Sequence, residues 1–117
     1  MSVPTHPLQS RYFEQRGKGE LAAAADTLKT VLKGDPRADW AYNELIELLY
    51  SMGRHDDAHA LARTALRVNP RSAQAHNLYG TILSQLNDLP PGEWHFRRAI
   101  ELGGEQAPFL ANLALNL

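Results

Sequence analysis

Between Asp39 and Asn69 the apolar residues Tyr42, Leu45, Ile46, Leu49 and Tyr50 recur at i, i+3, i+4 and i+7. That is the period of a helix burying one face. Met52-Gly53 then ends the helix, since glycine accepts the left-handed conformation of a C-terminal cap. Asp56 and Asp57 open a second helix, where carboxylates favour the exposed amides of the first turn. Its apolar stripe is Ala58, Leu61, Ala62, Ala65 and Leu66, and Asn69-Pro70 stops it. A helical hairpin is predicted over 39–72. The next stretch, 73–106, repeats the plan: Tyr79, Ile82, Leu83 and Leu86 lie on its first helix, and Asn87-Asp88 marks the break. Pro90 and Pro91 suit the start of its second helix, where a missing N–H is harmless. Trp94, Phe96, Ala99, Ile100 and Leu102 follow, up to Gly103-Gly104.

A preceding hairpin is predicted over 5–38. Its second helix spans Glu20 to Lys33, with the four alanines Ala22 to Ala25 of high helix propensity. Its first helix, near Leu8 to Gln15, is weaker because Arg11 and Gln15 stand where the later copies are apolar. Ala107 to Leu117 reads as the first helix of an incomplete fourth copy.

The copies are in register. Pro36, Pro70 and Gly104 lie 34 residues apart, as do Ala24, Ala58 and Gly92, then Leu32, Leu66 and Ile100, then Leu49, Leu83 and Leu117. A period of this length implies stacked copies of one supersecondary unit, none able to bury its apolar face alone. The predicted fold is all-α: one domain over 1–117, with three helix-turn-helix units and a terminal helix. Ala24, Ala58 and Gly92 mark the tightest helix approaches, where a leucine is expected to overpack at a cost of ~1–3 kcal/mol.

Composition narrows the function classes. Twelve Lys+Arg against 13 Asp+Glu leave a formal charge of −1, unlike a strongly basic nucleic-acid binder. The absence of cysteine removes disulfides and thiolate chemistry. Met1 to Ser10 holds two prolines and no apolar run, unlike a signal peptide, and no segment approaches the ~20 apolar residues of a membrane helix. The expectation is a cytoplasmic protein with no cofactor, nucleic acid or membrane partner.

The unit resembles the tetratricopeptide repeat, whose signature spaces an aromatic, Leu-Gly, Tyr, Ala, Phe and Pro. Tyr42, Leu45, Leu49, Ala58, Ala65 and Pro70 match it, and so do Tyr79, Gly80, Leu83, Phe96 and Ala99. Ile46 departs where glycine is usual and is expected to widen the local helix spacing. Gly92 and Gly104 replace the usual alanine and proline. The first unit keeps Gly19, Ala24, Leu28 and Pro36 without the aromatic.

The resemblance implies a right-handed superhelix whose concave groove is lined by the first helix of each unit and binds a protein or extended peptide. By position, groove residues are Gln9 and Phe13; Trp40, Asn43, Glu44, Glu47 and Tyr50; and Gln74, Asn77, Leu78, Thr81 and Gln85. Asn43 and Asn77, 34 apart, are expected to stack along the groove, their amides gripping a peptide backbone. Relatives that hold chaperone C-termini use a Lys/Arg/Asn clamp. The matching places here are His6, Ser10, Trp40, Glu44, Gln74 and Leu78, with no cation, and Glu44 would repel a carboxylate.

Other constellations carry less. His55 and His59 share a helix face, as metal ligands do, but they border the seam at Ala58 and are read as packing residues. Lys29, Arg63 and Arg97, extended by Lys33, Arg67 and Arg71, form a basic ridge. It is read as helix-dipole complementation, because second helices start acidic (Glu20, Asp56, Asp57, Glu93) and end basic. Trp40 is placed either in the groove or between units, and Trp94 in the inter-repeat core or on the outer face. No convergent catalytic set is present, so an enzyme is not expected within these residues.

Seven of the ten residues in 108–117 are apolar. Phe109, Leu110, Leu113 and Leu117 are expected to expose a surface that mediates homo-oligomerisation through this helix. The segment Gly92 to Leu117 is also similar to repeat regions that precede a bacterial sulfotransferase domain. That likeness implies an alternative role, as an assembly or substrate-presenting segment of a larger enzyme.

Overall fold

A computed structural model describes residues 7–116. Within them the chain forms seven helices: α1 (Gln9–Gly17), α2 (Leu21–Gly34), α3 (Asp39–Ser51), α4 (His55–Val68), α5 (Ala73–Gln85), α6 (Leu89–Gly103) and α7 (Ala107–Asn116). Each packs on the next, and α3 meets α5 as α5 meets α7, whereas α2, α4 and α6 make no close backbone approach to one another. The odd-numbered helices therefore form an inner layer and the even-numbered ones splay outside it.

The turns inside the hairpins repeat at backbone level. Gly19, Gly53 and Asn87, 34 apart, all take positive φ, at 75°, 77° and 62°. Each sits between the same pair of bonds: Lys18 N–H to the Glu14 carbonyl and Glu20 N–H to Gln15 in the first turn, Leu86 to Ile82 and Asp88 to Leu83 in the third. Asparagine tolerates the left-handed region better than other side chains, which suits it to the third turn. A second repeated device anchors the turns between hairpins. The Tyr42 hydroxyl donates to the Pro36 carbonyl at 2.8 Å, and His76 Nε2 lies 2.9 Å from the Pro70 carbonyl.

The core is a continuous band running from Tyr12 and Leu28 through Ile46, Leu48 and Ala62 to Ile82. Its spacing changes along the stack. Backbones approach more closely between α5 and α6 than between α3 and α4. Size at one register position explains the difference. Gly80 lies against Gly92, where an added Cβ would meet the Gly92 carbonyl at 3.1 Å and the Phe96 ring at 2.7 Å. Ile46 and Tyr12 hold that position in the two earlier units, both buried. The wider spacing expected from Ile46 is thus present. Gln15, polar where later copies are apolar, is accommodated because Thr27 Oγ1 donates to its Oε1 at 2.6 Å.

Helix α7 points differently from the expectation. Phe109 is buried against Gly103, not exposed. Asn116 is buried too, its Nδ2 donating to the Leu89 carbonyl at 3.0 Å while its Oδ1 accepts from Ser84. Leu110 and above all Leu115 face out, at 42% and 86% exposure, and Leu113 is half-buried. Leu117 lies outside the described residues.

Candidate functional site

The inner layer carries a polar strip that crosses three helices. Tyr12 and Arg16, one turn apart on α1, both reach Glu44 on α3; the Tyr12 hydroxyl donates at 2.7 Å and Arg16 donates from its guanidinium. The other end of that guanidinium lies 3.8 Å from Glu47. Gln74 on α5 donates to Glu47 from the far side at 3.4 Å. Trp40 leans on the Tyr12 ring at 6.3 Å, and the exposed Phe13 meets it edge-on at 4.9 Å. Tyr50, half-buried, stacks on His55 at 4.5 Å.

Electrostatics follow from this packing. Burial, and then the neighbouring Glu44, push the Tyr12 phenol far above its usual range, so it stays a donor. Burial and the adjacent Glu44 likewise raise the Glu47 carboxyl, against the opposing pull of Arg16 and Gln74. Two carboxylates facing one guanidinium make the strip acidic.

A tetratricopeptide repeat model matches residues 16–82, more than half of the chain. The chain belongs to the tetratricopeptide repeat family. No curated protein sequence matches it. Several solved structures share its fold. The first TPR domain of human RPAP3 superposes with a TM-score of 0.84 at 16% identity, covering 93% of this chain and 86% of that one. The Sgt2 TPR domain from Aspergillus fumigatus gives 0.83 at 19% identity, covering 93% and 74%. MamA gives 0.78 at 22% identity, covering 99% and 64%. Neither the family match nor these structures bears on the likeness to sulfotransferase-linked repeats.

Within this TPR array the groove residues divide into two groups. Phe13, Trp40, Glu44, Glu47, Tyr50 and Gln74 lie on the inner helices with exposed or half-buried side chains, and Gln85 is exposed at the end of α5. Asn43 and Asn77 do not stack as a ladder. They are 8% and 5% exposed, and each is engaged elsewhere. Asn77 Oδ1 accepts from Asn112 of α7 at 2.9 Å, and Asn43 Nδ2 donates to Asp39 of its own helix at 3.2 Å. The residue that stands to Asn43 as Asn112 stands to Asn77 is Leu78, which has no donor, and Asn43 Oδ1 is left without a protein partner. Thr81 is turned to its own helix, donating to the Asn77 carbonyl at 3.0 Å. Gln9 and Leu78 are half-buried; among the clamp places Ser10 is exposed, and His6 lies outside the described residues.

The remaining motifs fall outside this face. His55 stacks on Tyr50, while the His59 ring meets Tyr79, whose hydroxyl lies 3.3 Å from His59 Nε2, so the two histidines serve different contacts. Among the described residues no three His, Cys, Asp or Glu side chains gather as metal ligands, and no helix is long and apolar enough to cross a membrane. Trp94 stands on the outer face at 58% exposure, its ring edge-on to His76 and His95. Arg97 is held by Glu93 at 3.2 Å. Sequence reasoning passed over Tyr12, Arg16 and Asn112. A signal for Tyr12 existed: it precedes Ile46 by 34 residues and so occupies the helix-contact position. Arg16 follows one turn later on the same face.

Proposed function

We propose that this TPR array holds an extended segment of a partner protein along the layer of α1, α3 and α5. The observation that carries this reading is the strip of Trp40, Glu44, Glu47 and Gln74, already ordered by Tyr12 and Arg16. A face ordered before binding loses little side-chain entropy when a peptide arrives. Its charge selects the ligand. The TPR domain of Spaghetti (RPAP3) was solved with the HSP90 peptide SRMEEVD, an acidic sequence. Here Glu44 and Glu47 would repel such a peptide, and a neutral or basic segment fits better.

The test is fluorescence anisotropy with two labelled peptides of one apolar framework, lysine-bearing and glutamate-bearing. The lysine peptide should bind at least about tenfold more tightly, and Glu44→Gln with Glu47→Gln should erase that preference. Glutamine still accepts from Tyr12, so the fold is retained. Equal capture of both peptides by the unmodified protein would reject the assignment. We further propose that the exposed leucines of α7, Leu110 and Leu115, support self-association.

A further inference from the structure

On the outer side α2 and α4 stand apart, and an open trough of about 590 Å³ lies between them. Its floor is Leu45 and Leu49 of α3, both almost fully covered, with half-buried Leu61 of α4 beside them. Its rim is cationic: Lys29 and Lys33 on α2, and Arg54 at the start of α4. Asp57 neutralises Arg54 at 2.7 Å, whereas among the described residues neither lysine enters an ion pair.

The lining of the trough differs from that of the next interval. Thirty-four residues later Tyr79, Trp94 and His95 stand where Leu45, Ala60 and Leu61 stand here, and Asp88 replaces Arg54. There the Tyr79 ring packs on His95 at 4.7 Å and its hydroxyl reaches His59 on α4, and the hollow of about 580 Å³ that remains is lined by Arg97 and Arg98 and by Trp94 and His95 in place of aliphatic side chains. The first interval keeps small and aliphatic side chains at those places, with unpaired charge along the edge.

We propose that this trough is a second docking site, which takes an acidic peptide segment of a partner protein. An aliphatic side chain of the segment lies over the half-buried Leu32 and Leu61, and its carboxylates face Lys29 and Lys33. The spacing accommodates an extended segment. Residues four apart on a helix are separated by ~6 Å along its axis, and alternate residues of an extended strand by ~6.6 Å. The site is distinct from the inner face in position and opposite to it in charge.

The experiment is anisotropy on the full chain with a labelled peptide carrying glutamates at alternate positions around a central leucine. Binding should weaken at least about tenfold in Lys29→Glu with Lys33→Glu, and as much in Ala60→Trp, which introduces the ring present in the next interval. It should weaken as salt rises and be unaffected by Glu44→Gln with Glu47→Gln. Circular dichroism checks each variant, with Lys29→Gln and Lys33→Gln in reserve if charge reversal unwinds α2. Absence of binding, unchanged binding in both trough variants, or loss through the inner-face variant overturns the proposal. So does saturation by anionic phospholipid vesicles in place of the peptide, which would assign the trough to a lipid surface.

Discussion

A single methyl group at Gly80 would sit 2.7 Å from the Phe96 ring and 3.1 Å from the Gly92 carbonyl. Neither the buried ring nor the backbone can retreat without opening α5 from α6. Gly80→Ala should therefore cost ~1–3 kcal/mol in urea denaturation; a variant as stable as the parent would mean that the hairpin has slack. Asn77 makes a different kind of residue-scale prediction. Its side chain is buried and accepts from Asn112, so Asn77→Ala should lower stability by ~1 kcal/mol and leave peptide affinity unchanged. Weakened capture at unaltered stability would return Asn77 to the groove. The 34-residue step identified Asn43 and Asn77 as equivalent positions, but it could not say that one partner position holds Asn112 and the other Leu78. That difference appears only when neighbouring helices are in contact.

At the scale of elements, the α5–α6 hairpin carries a pH dependence of its own. His76 Nε2 donates to the Pro70 carbonyl, which leaves its Nδ1 as an acceptor 3.0 Å from His95 Nδ1. With both rings neutral, the form that their burial favours, His95 is the donor of the pair. Burial lowers both histidines, with Arg98 adding to the effect on His76 and His76 to that on His95, which falls to about 4. The folded hairpin thus holds fewer protons than the unfolded chain below the ordinary histidine value of 6.5. Stability should be full above that pH and decline as pH falls towards about 4. Thermal midpoints between these limits test it, and His95→Leu, which installs the residue found at Leu61, should flatten the slope. An equally steep slope in the variant would place the titration elsewhere. Sequence patterning located this hairpin through its glycines and prolines, yet two histidines 19 residues apart gave no sign of pairing, because no helical period brings them together.

For the whole molecule, the splay of the even helices away from one another separates the two binding surfaces proposed above, which are opposite in charge. The exposed leucines of α7 add a third surface. If α7 mediates association, light scattering should show a concentration-dependent rise in mass that Leu110→Glu with Leu115→Glu abolishes; a concentration-independent monomer would remove the idea. The sequence by itself determined the helices, the left-handed turn at Gly53, and the stacking of equivalent units. Those features follow from local conformational preference and from a repeating apolar face, both written along the chain. Only the tertiary structure decided that Tyr12 binds Glu44, that Phe109 turns inward while Leu115 turns out, and that a trough opens between α2 and α4. Each of these depends on where residues distant in sequence come to lie, and on how far one large side chain at a crowded position pushes two helices apart.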